Sequence, residues 1–315
     1  MIISLLNIIL PVFFIIGVGF FCAKIKLINS SGVDQLLKIS QNIFLPLFLF
    51  LSVSRIDLNH LLDIELLISF YVGAFSCFIL GLLISKVFFK SSNEQAILIG
   101  FCALFSNSVI MGLPITELAF GKKALEGNFA IIAFHAPFCY ILGITFMEVF
   151  KQENNTNNEV TRKIFKLIFS NSLTIGIILG FFFNFFQINI HISLQKALDM
   201  IAIAAIPLAL FALGGVLIRY KIYNQFSKIL VITMLSLIFH PLITLFLSSN
   251  IFNLKIEYVR SAVITASMAP GINAFLFSSM YNNSKDISAG AVLICTPLTI
   301  FSTSFWIFIL NNLNQ

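Results

Sequence analysis

Two short segments of this sequence combine helix-breaking residues with amide and hydroxyl side chains. The first runs from residue 106 to 114 and the second from 270 to 273. Proline lacks a backbone donor and glycine adopts unusual dihedral angles, so both segments favour an interrupted helix. The second half of such a helix begins with unpaired N–H groups and partial positive charge, which bind anions. The predicted carboxylate-binding residues are Ser106, Asn107, Ser108, Gly112, Pro114, Pro270, Gly271 and Asn273.

The composition places these segments in a membrane protein. Of 315 residues, 59% are hydrophobic and 10% are charged, and the mean hydropathy is +1.00. A soluble domain carries roughly 25% charged residues. Soluble enzymes and nucleic-acid-binding proteins are therefore excluded, and the lipid bilayer is an expected partner.

The apolar runs predict an all-α integral membrane protein with ten transmembrane helices. A helix crosses the bilayer core with about 20 mostly apolar residues. Runs of this kind lie at 2–23, 34–54, 65–89, 95–120, 127–150, 164–186, 194–218, 228–250, 258–281 and 287–310. The two breaker segments fall inside the fourth and ninth runs.

The distribution of Lys and Arg predicts the orientation in the plasma membrane. Placing both termini outside puts thirteen of the nineteen cations in or beside cytoplasmic loops, as the positive-inside rule expects. The polar segment 151–163 then forms a central cytoplasmic loop between residues 1–150 and 164–315.

Sequence matches between these two halves indicate an internal repeat. Leu45–Phe50 resembles Ile206–Phe211, and Gly112 of the fourth run corresponds to Gly271 of the ninth at nearly the same offset. Each half has five spans, which is an odd number, so the two repeats are predicted to have inverted topology, as in many secondary transporters. The alternative to a repeat is coincidence within a biased composition. For the two breaker segments, the alternative is that the prolines and glycines only kink their helices.

Three titratable residues within the runs are further candidates for coupling or gating: Glu117, His135 and His240. Ionisable groups inside a membrane are functional hypotheses by default, and histidine titrates near neutral pH. Alternatively, Glu117 faces water near the outer interface, and each histidine bonds a carbonyl freed by the neighbouring Pro137 or Pro241. The sequence predicts no catalytic residues, no metal site and no cofactor beyond a coupling proton or sodium ion.

The breaker segments also resemble a known family. Asn107–Pro114 is similar to the Asn-x-x-x-x-Gly-x-Pro signature of the auxin efflux carrier family, which includes the plant PIN proteins and bacterial members. Residues 270–277 resemble that family's second crossing helix. The resemblance implies a crossover fold shared with bile-acid symporters and sodium–proton antiporters, in which helices 4 and 9 cross. It further implies a scaffold of helices 1, 2, 6 and 7, a moving transport domain of helices 3–5 and 8–10, and a homodimer.

We therefore expect a secondary transporter rather than an enzyme. It would move small organic anions, auxin-like or malate- and malonate-like, by alternating access in an elevator motion. A cation–proton antiporter or a sodium-coupled symporter on the same fold is the alternative.

Overall fold

The structure is a computed structural model, and it describes residues 2–55, 63–150, 162, 165–166, 170–220 and 225–313, with side chains from Ile9 onward. Apart from Arg162, the predicted cytoplasmic loop 151–163 lies outside the described residues. Every regular element in the described part is helical. The helices are α1 Ile2–Lys24, α2 Ser30–Ser54, α3 Ile64–Phe89, α4 Asn93–Leu104, α5 Ser108–Phe120, α6 Leu125–Phe150, α7 Ser172–Phe185, α8 Ile192–Leu217, α9 Phe226–Ile251, α10 Ile256–Ala266, α11 Ile272–Met280 and α12 Lys285–Asn312.

Six described helices are long and apolar enough to cross a membrane: α2, α3, α6 with its preceding turn, α8, α9 and α12. Four shorter apolar helical stretches lie at Ile9–Lys24, Asn93–Leu104, Ser108–Phe120 and Ser172–Phe185. The predicted all-α membrane class is thus confirmed at this level.

The fourth and ninth apolar runs are each divided into two helices. In the fourth run, α4 ends at Leu104 and α5 begins at Ser108 with a π-helical turn. In the ninth run, α10 ends at Ala266 and α11 begins at Ile272. The second break falls at Pro270 and Gly271, as predicted. The first falls at residues 105–107, at the start of the predicted segment, and its Gly112 and Pro114 lie within α5.

The helices of the second half follow the order and spacing of the first. The number of residues between the starts of α2 and α8 equals the number between the starts of α3 and α9. Beyond the second half of each interrupted helix, Gly121 and Asn282 both have positive φ, at 78° and 50°. These correspondences agree with the offset of the sequence matches.

The chain divides into two compact units. The four-helix unit, residues 12–63 and 165–219, contains most of α1 together with α2, α7 and α8. The core unit, residues 1–11, 64–164 and 220–315, contains α3 to α6 and α9 to α12. Both interrupted helices belong to the core unit.

Glycines set the close helix packing of the four-helix unit. A Cβ atom at Gly176 of α7 would lie 2.4 Å from the carbonyl oxygen of Pro46 in α2, and one at Gly214 would lie 1.9 Å from that of Ile16. Gly176 and Gly180 form a Gly-x-x-x-Gly pair, the pattern that lets membrane helices approach closely. Any side chain at these positions would push the helices apart.

In the core unit, a proline in α9 frees a carbonyl that another helix satisfies. Pro241 has no N–H to donate to the carbonyl of Leu237, one turn earlier. The Ser302 hydroxyl and the Trp306 indole N–H, both on α12, donate to that oxygen at 2.8 and 3.0 Å. Trp306 is only 2% exposed, so the bond is shielded from water.

This carbonyl yields a prediction about stability. We expect Ser302→Ala combined with Trp306→Phe to destabilise the protein by more than the sum of the single changes. The double variant leaves a buried acceptor without any donor, which costs about 1–3 kcal/mol. The measurement is equilibrium unfolding in mixed micelles. Ser304→Ala is the control, because its hydroxyl bonds the carbonyl of Ile300 within the same helix. Additive effects of Ser302→Ala and Trp306→Phe would contradict the assignment.

Candidate functional site

The two helix interruptions of the core unit are joined by backbone hydrogen bonds. The N–H of Asn107 donates to the carbonyl of Ala269 at 2.9 Å, and the N–H of Gly271 donates to the carbonyl of Phe105 at 3.2 Å. Ser106 and Pro270 therefore face each other in an antiparallel bridge. Their own N–H positions point away from the partner in this kind of pair, so a proline fits without breaking the bridge.

A tight turn at Asn107 starts the second half of the first interrupted helix. Asn107 has φ −77° and ψ 61°, and the N–H of Ser108 donates to the carbonyl of Ser106 at 2.8 Å, an inverse γ-turn. The carbonyl of Asn107 then accepts from Met111 and Gly112 at 3.3 and 3.1 Å, which closes the first turn of α5. The Asn107 side chain forms no hydrogen bond with the described residues, so its amide remains free for a ligand.

The beginnings of α5 and α11 lie next to each other. A Cβ atom at Gly271, which caps α11, would lie 3.5 Å from the Cα of Asn107, which caps α5. Apart from the γ-turn bond of Ser108, the N–H groups in the first turns of both helices have no acceptor in a preceding turn. Their dipoles place partial positive charge at the same point, an arrangement that suits an anion.

The remaining predicted site residues lie in the bridge, in α5 and in the first turn of α11. Ser106, Ser108, Gly112 and Pro114 are buried, and Asn273 is half-buried in the first turn of α11. A Cβ at Gly112 would lie 3.6 Å from Met268 Cγ, so α5 packs against the second interruption. Glu117 is half-buried further along α5, and its side chain forms no hydrogen bond with the described residues.

His135 of α6 contacts the bridge directly. It is 2% exposed, and its Nε2 lies 3.2 Å from the carbonyl oxygen and 3.4 Å from the hydroxyl of Ser106. The alternative prediction that His135 bonds a carbonyl freed by Pro137 is wrong. The interruption leaves the Ser106 carbonyl outside any regular helix, and Nε2–H donates to it instead.

His240 of α9 bonds α3 instead of the bridge. Its Nε2 lies 3.3 Å from the carbonyl oxygen of Phe70. The expectation that it bonds the carbonyl freed by Pro241 is also wrong, because α12 satisfies that oxygen. The Phe70 ring contacts both histidines, with centroid distances of 4.8 Å to His240 and 5.6 Å to His135.

A polar cluster that the sequence did not indicate connects both interrupted helices. Asn128 Nδ2 donates to Thr116 Oγ1 of α5 at 3.2 Å and to Thr265 Oγ1 of α10 at 2.7 Å, and all three residues are fully buried. Asn128 Oδ1 has no hydrogen-bond partner among the described residues. The predicted fifth run begins at residue 127, which places Asn128 at the polar end of a span. Its position just inside that run is the only signal that sequence reasoning could have used.

Known proteins similar to this chain are named as transporters. A protein of Rhizobium meliloti (strain 1021) named "Putative malonate transporter" is 22% identical over 306 residues, which cover 97% of this chain and 96% of that protein. "Uncharacterized transporter YfdV" of Escherichia coli (strain K12) is 21% identical over 312 residues, 95% and 96% of the two chains. An uncharacterised transporter of Methanocaldococcus jannaschii is 21% identical over 317 residues, 98% and 99%.

A family model described as "Membrane transport protein" matches residues 4–307, nearly the whole chain. This match confirms the resemblance to the auxin efflux carriers, and it agrees with the apolar helices and with the relatives' names. The chain is therefore a multi-pass membrane transporter that belongs to the membrane transport protein family of auxin efflux carriers.

Proposed function

We propose that this transporter is a secondary carrier of small organic anions and that the paired helix interruptions bind the substrate carboxylate. The observation that carries the proposal is the backbone bridge between Ser106 and Pro270. It holds two helix N-termini and the free Asn107 amide at one buried place. A carboxylate accepts hydrogen bonds from such groups and is attracted by their dipoles.

The neutral donors favour small carboxylates as substrates. Residues 105–116 and 266–280, which contain both interruptions, include neither Lys nor Arg. The anion would be balanced by helix dipoles and amides alone, so it can dissociate readily during a transport cycle. A malonate- or malate-like dicarboxylate or an auxin-like monocarboxylate suits this arrangement, and one relative's name gives malonate.

The transport mechanism that we propose is alternating access on a ten-span crossover fold of two inverted repeats. The matching helix spacing of the two halves supports the repeat. The division into two compact units supports a scaffold formed by the four-helix unit and an elevator-like transport domain formed by the core unit. In this proposal the protein lies in the plasma membrane as a homodimer, with both termini outside and loop 151–163 in the cytoplasm.

The alternative functions differ in what binds beside the interruptions. A cation–proton antiporter needs a carboxylate there, and Glu117 of α5 has no described contact with the bridge. Sodium-coupled symport is favoured by one observation, the unpartnered Asn128 Oδ1 beside two threonine hydroxyls. Oxygen atoms are the ligands that such hard cations prefer. Sodium coupling requires that sodium tightens anion binding and that Asn128→Ala removes this effect.

The test of the proposed function is Asn107→Ala. We expect the dissociation constant for malonate, or for the best of a carboxylate panel, to rise at least about tenfold, because a hydrogen bond to a charged ligand is worth about 1.5–3 kcal/mol. The measurement is a thermal-shift titration of purified protein, with and without sodium, since ligand stabilisation follows concentration relative to the dissociation constant.

Ser69→Ala is the matched control, because this buried hydroxyl bonds the carbonyl of Glu65 on its own helix. It should leave the dissociation constant unchanged. If the same carboxylate concentrations stabilise Asn107→Ala as much as they stabilise wild type, the proposed site is refuted.

A second prediction concerns His135. We expect His135→Gln to retain malonate uptake and its pH profile, because a glutamine amide can also donate to the Ser106 carbonyl. His135→Phe cannot donate, so uptake should fall by about tenfold or more as the bridge loses a buried hydrogen bond. Uptake into proteoliposomes at several pH values measures both variants. A flat pH profile in His135→Gln would instead assign the coupling proton to His135.

A further inference from the structure

The four-helix unit carries an apolar groove on one side. The groove has a volume of about 730 Å³ and is lined mainly by α2, α7 and the start of α8. Pro46, Phe50, Leu179 and Phe183 form much of its wall. Leu179 is 46% exposed, so the wall is open rather than closed by another helix of the unit.

A polar pocket adjoins one end of this groove. It has a volume of about 350 Å³, and its lining includes Arg55, Gln187 and Asn189. Phe183 and Asn189 line both cavities, so the apolar groove and the polar pocket are adjacent. A ligand that fills both must be amphipathic.

The polar pocket lies where three helices end. Arg55 directly follows the last residue of α2, α7 ends at Phe185, and α8 begins at Ile192. The ends of apolar helices lie at the depth of lipid headgroups. From Phe183 back to Ile175 the groove follows α7 for eight residues, about 12 Å at 1.5 Å per residue. That length is similar to the hydrocarbon layer of one leaflet, about 15 Å.

Arg55 gives the pocket its charge preference. Its Nη2 donates to Asp199 Oδ1 at 2.7 Å, while the side chain is 46% exposed. A guanidinium group has five N–H donors in a planar fork, and this ion pair engages one of its nitrogens. The exposed donors have the geometry that binds phosphate.

We propose that the groove and the Arg55 pocket together bind one anionic phospholipid, its acyl chain along α7 and its phosphate on Arg55. The shared lining of the two cavities, the position of the polar pocket at the helix ends and the free guanidinium donors select a lipid over a second copy of the chain. The site lies wholly within the four-helix unit and is independent of the anion site in the core unit.

The headgroup test compares phosphatidylglycerol with phosphatidylcholine of identical acyl chains, by native mass spectrometry of the delipidated full-length protein. We expect wild type to retain phosphatidylglycerol preferentially and Arg55→Gln to bind it at least about tenfold more weakly, the value of a charge-assisted hydrogen bond. Arg219→Gln is the matched control, because Arg219 forms an equivalent ion pair with Asp34 at 2.6 Å and lines neither cavity.

Asp199→Asn separates lipid binding from the ion pair. It breaks the same pair but leaves Arg55 in place, so phosphatidylglycerol binding should persist. Equal retention of the two lipids by wild type, or loss of binding in Asp199→Asn and Arg55→Gln alike, would overturn the proposal.

The groove test uses two neighbouring residues of α7 with nearly the same exposure. Leu179→Trp fills the groove and should displace the lipid, whereas Ile178→Trp should not, since Ile178 is 47% exposed but does not line the groove. If Leu179→Trp instead changes the dimer fraction and leaves phosphatidylglycerol bound, the groove is an interface between copies and the proposal fails.

Discussion

The core unit depends on pairing the backbone groups that two interrupted helices leave unsatisfied. Inside a membrane, non-helical backbone persists only where protein or a watery cavity satisfies it. Two hydrogen bonds, Asn107 to Ala269 and Gly271 to Phe105, give each interruption one donor and one acceptor from the other. Each interruption thus satisfies part of the unpaired backbone of the other. The N–H groups that remain beyond this bridge are those available to an anion.

The neighbouring side chains extend the same rule. His135 donates to the Ser106 carbonyl, and Asn128 connects threonines on both interrupted helices. The carbonyl of Leu237, which Pro241 frees, is likewise satisfied from another helix, α12. At the two interruptions and at Pro241, buried polar groups are thus bonded between helices. An amide that is left unbonded, such as that of Asn107, is a candidate for binding a ligand.

The sequence predicted the breaks but not their partners. Proline and glycine act on their own helix, so the interruption at Pro270 could be read from local residue types. The first interruption lies at residues 105–107, within the predicted segment but before its Gly112 and Pro114, which continue α5. The acceptors of His135 and His240 depend on which helices pack together, and the local rule named the wrong carbonyls for both. Asn128 was missed for the same reason, because its threonine partners are 12 and 137 residues away. The nearly constant offset between matching segments of the two halves predicts a repeat, and the similar spacing of the helix starts supports that prediction.

The most direct measurement of the central claim is an experimental density map of the protein with bound malonate. We predict interrupted fourth and ninth spans whose backbones pair at Ser106 and Pro270. The malonate carboxylate should lie about 3 Å from the Asn107 side-chain amide and from the unpaired N–H groups in the first turns of α5 and α11. Continuous helices at these positions, or malonate density at a different place with this site dry, would contradict the account.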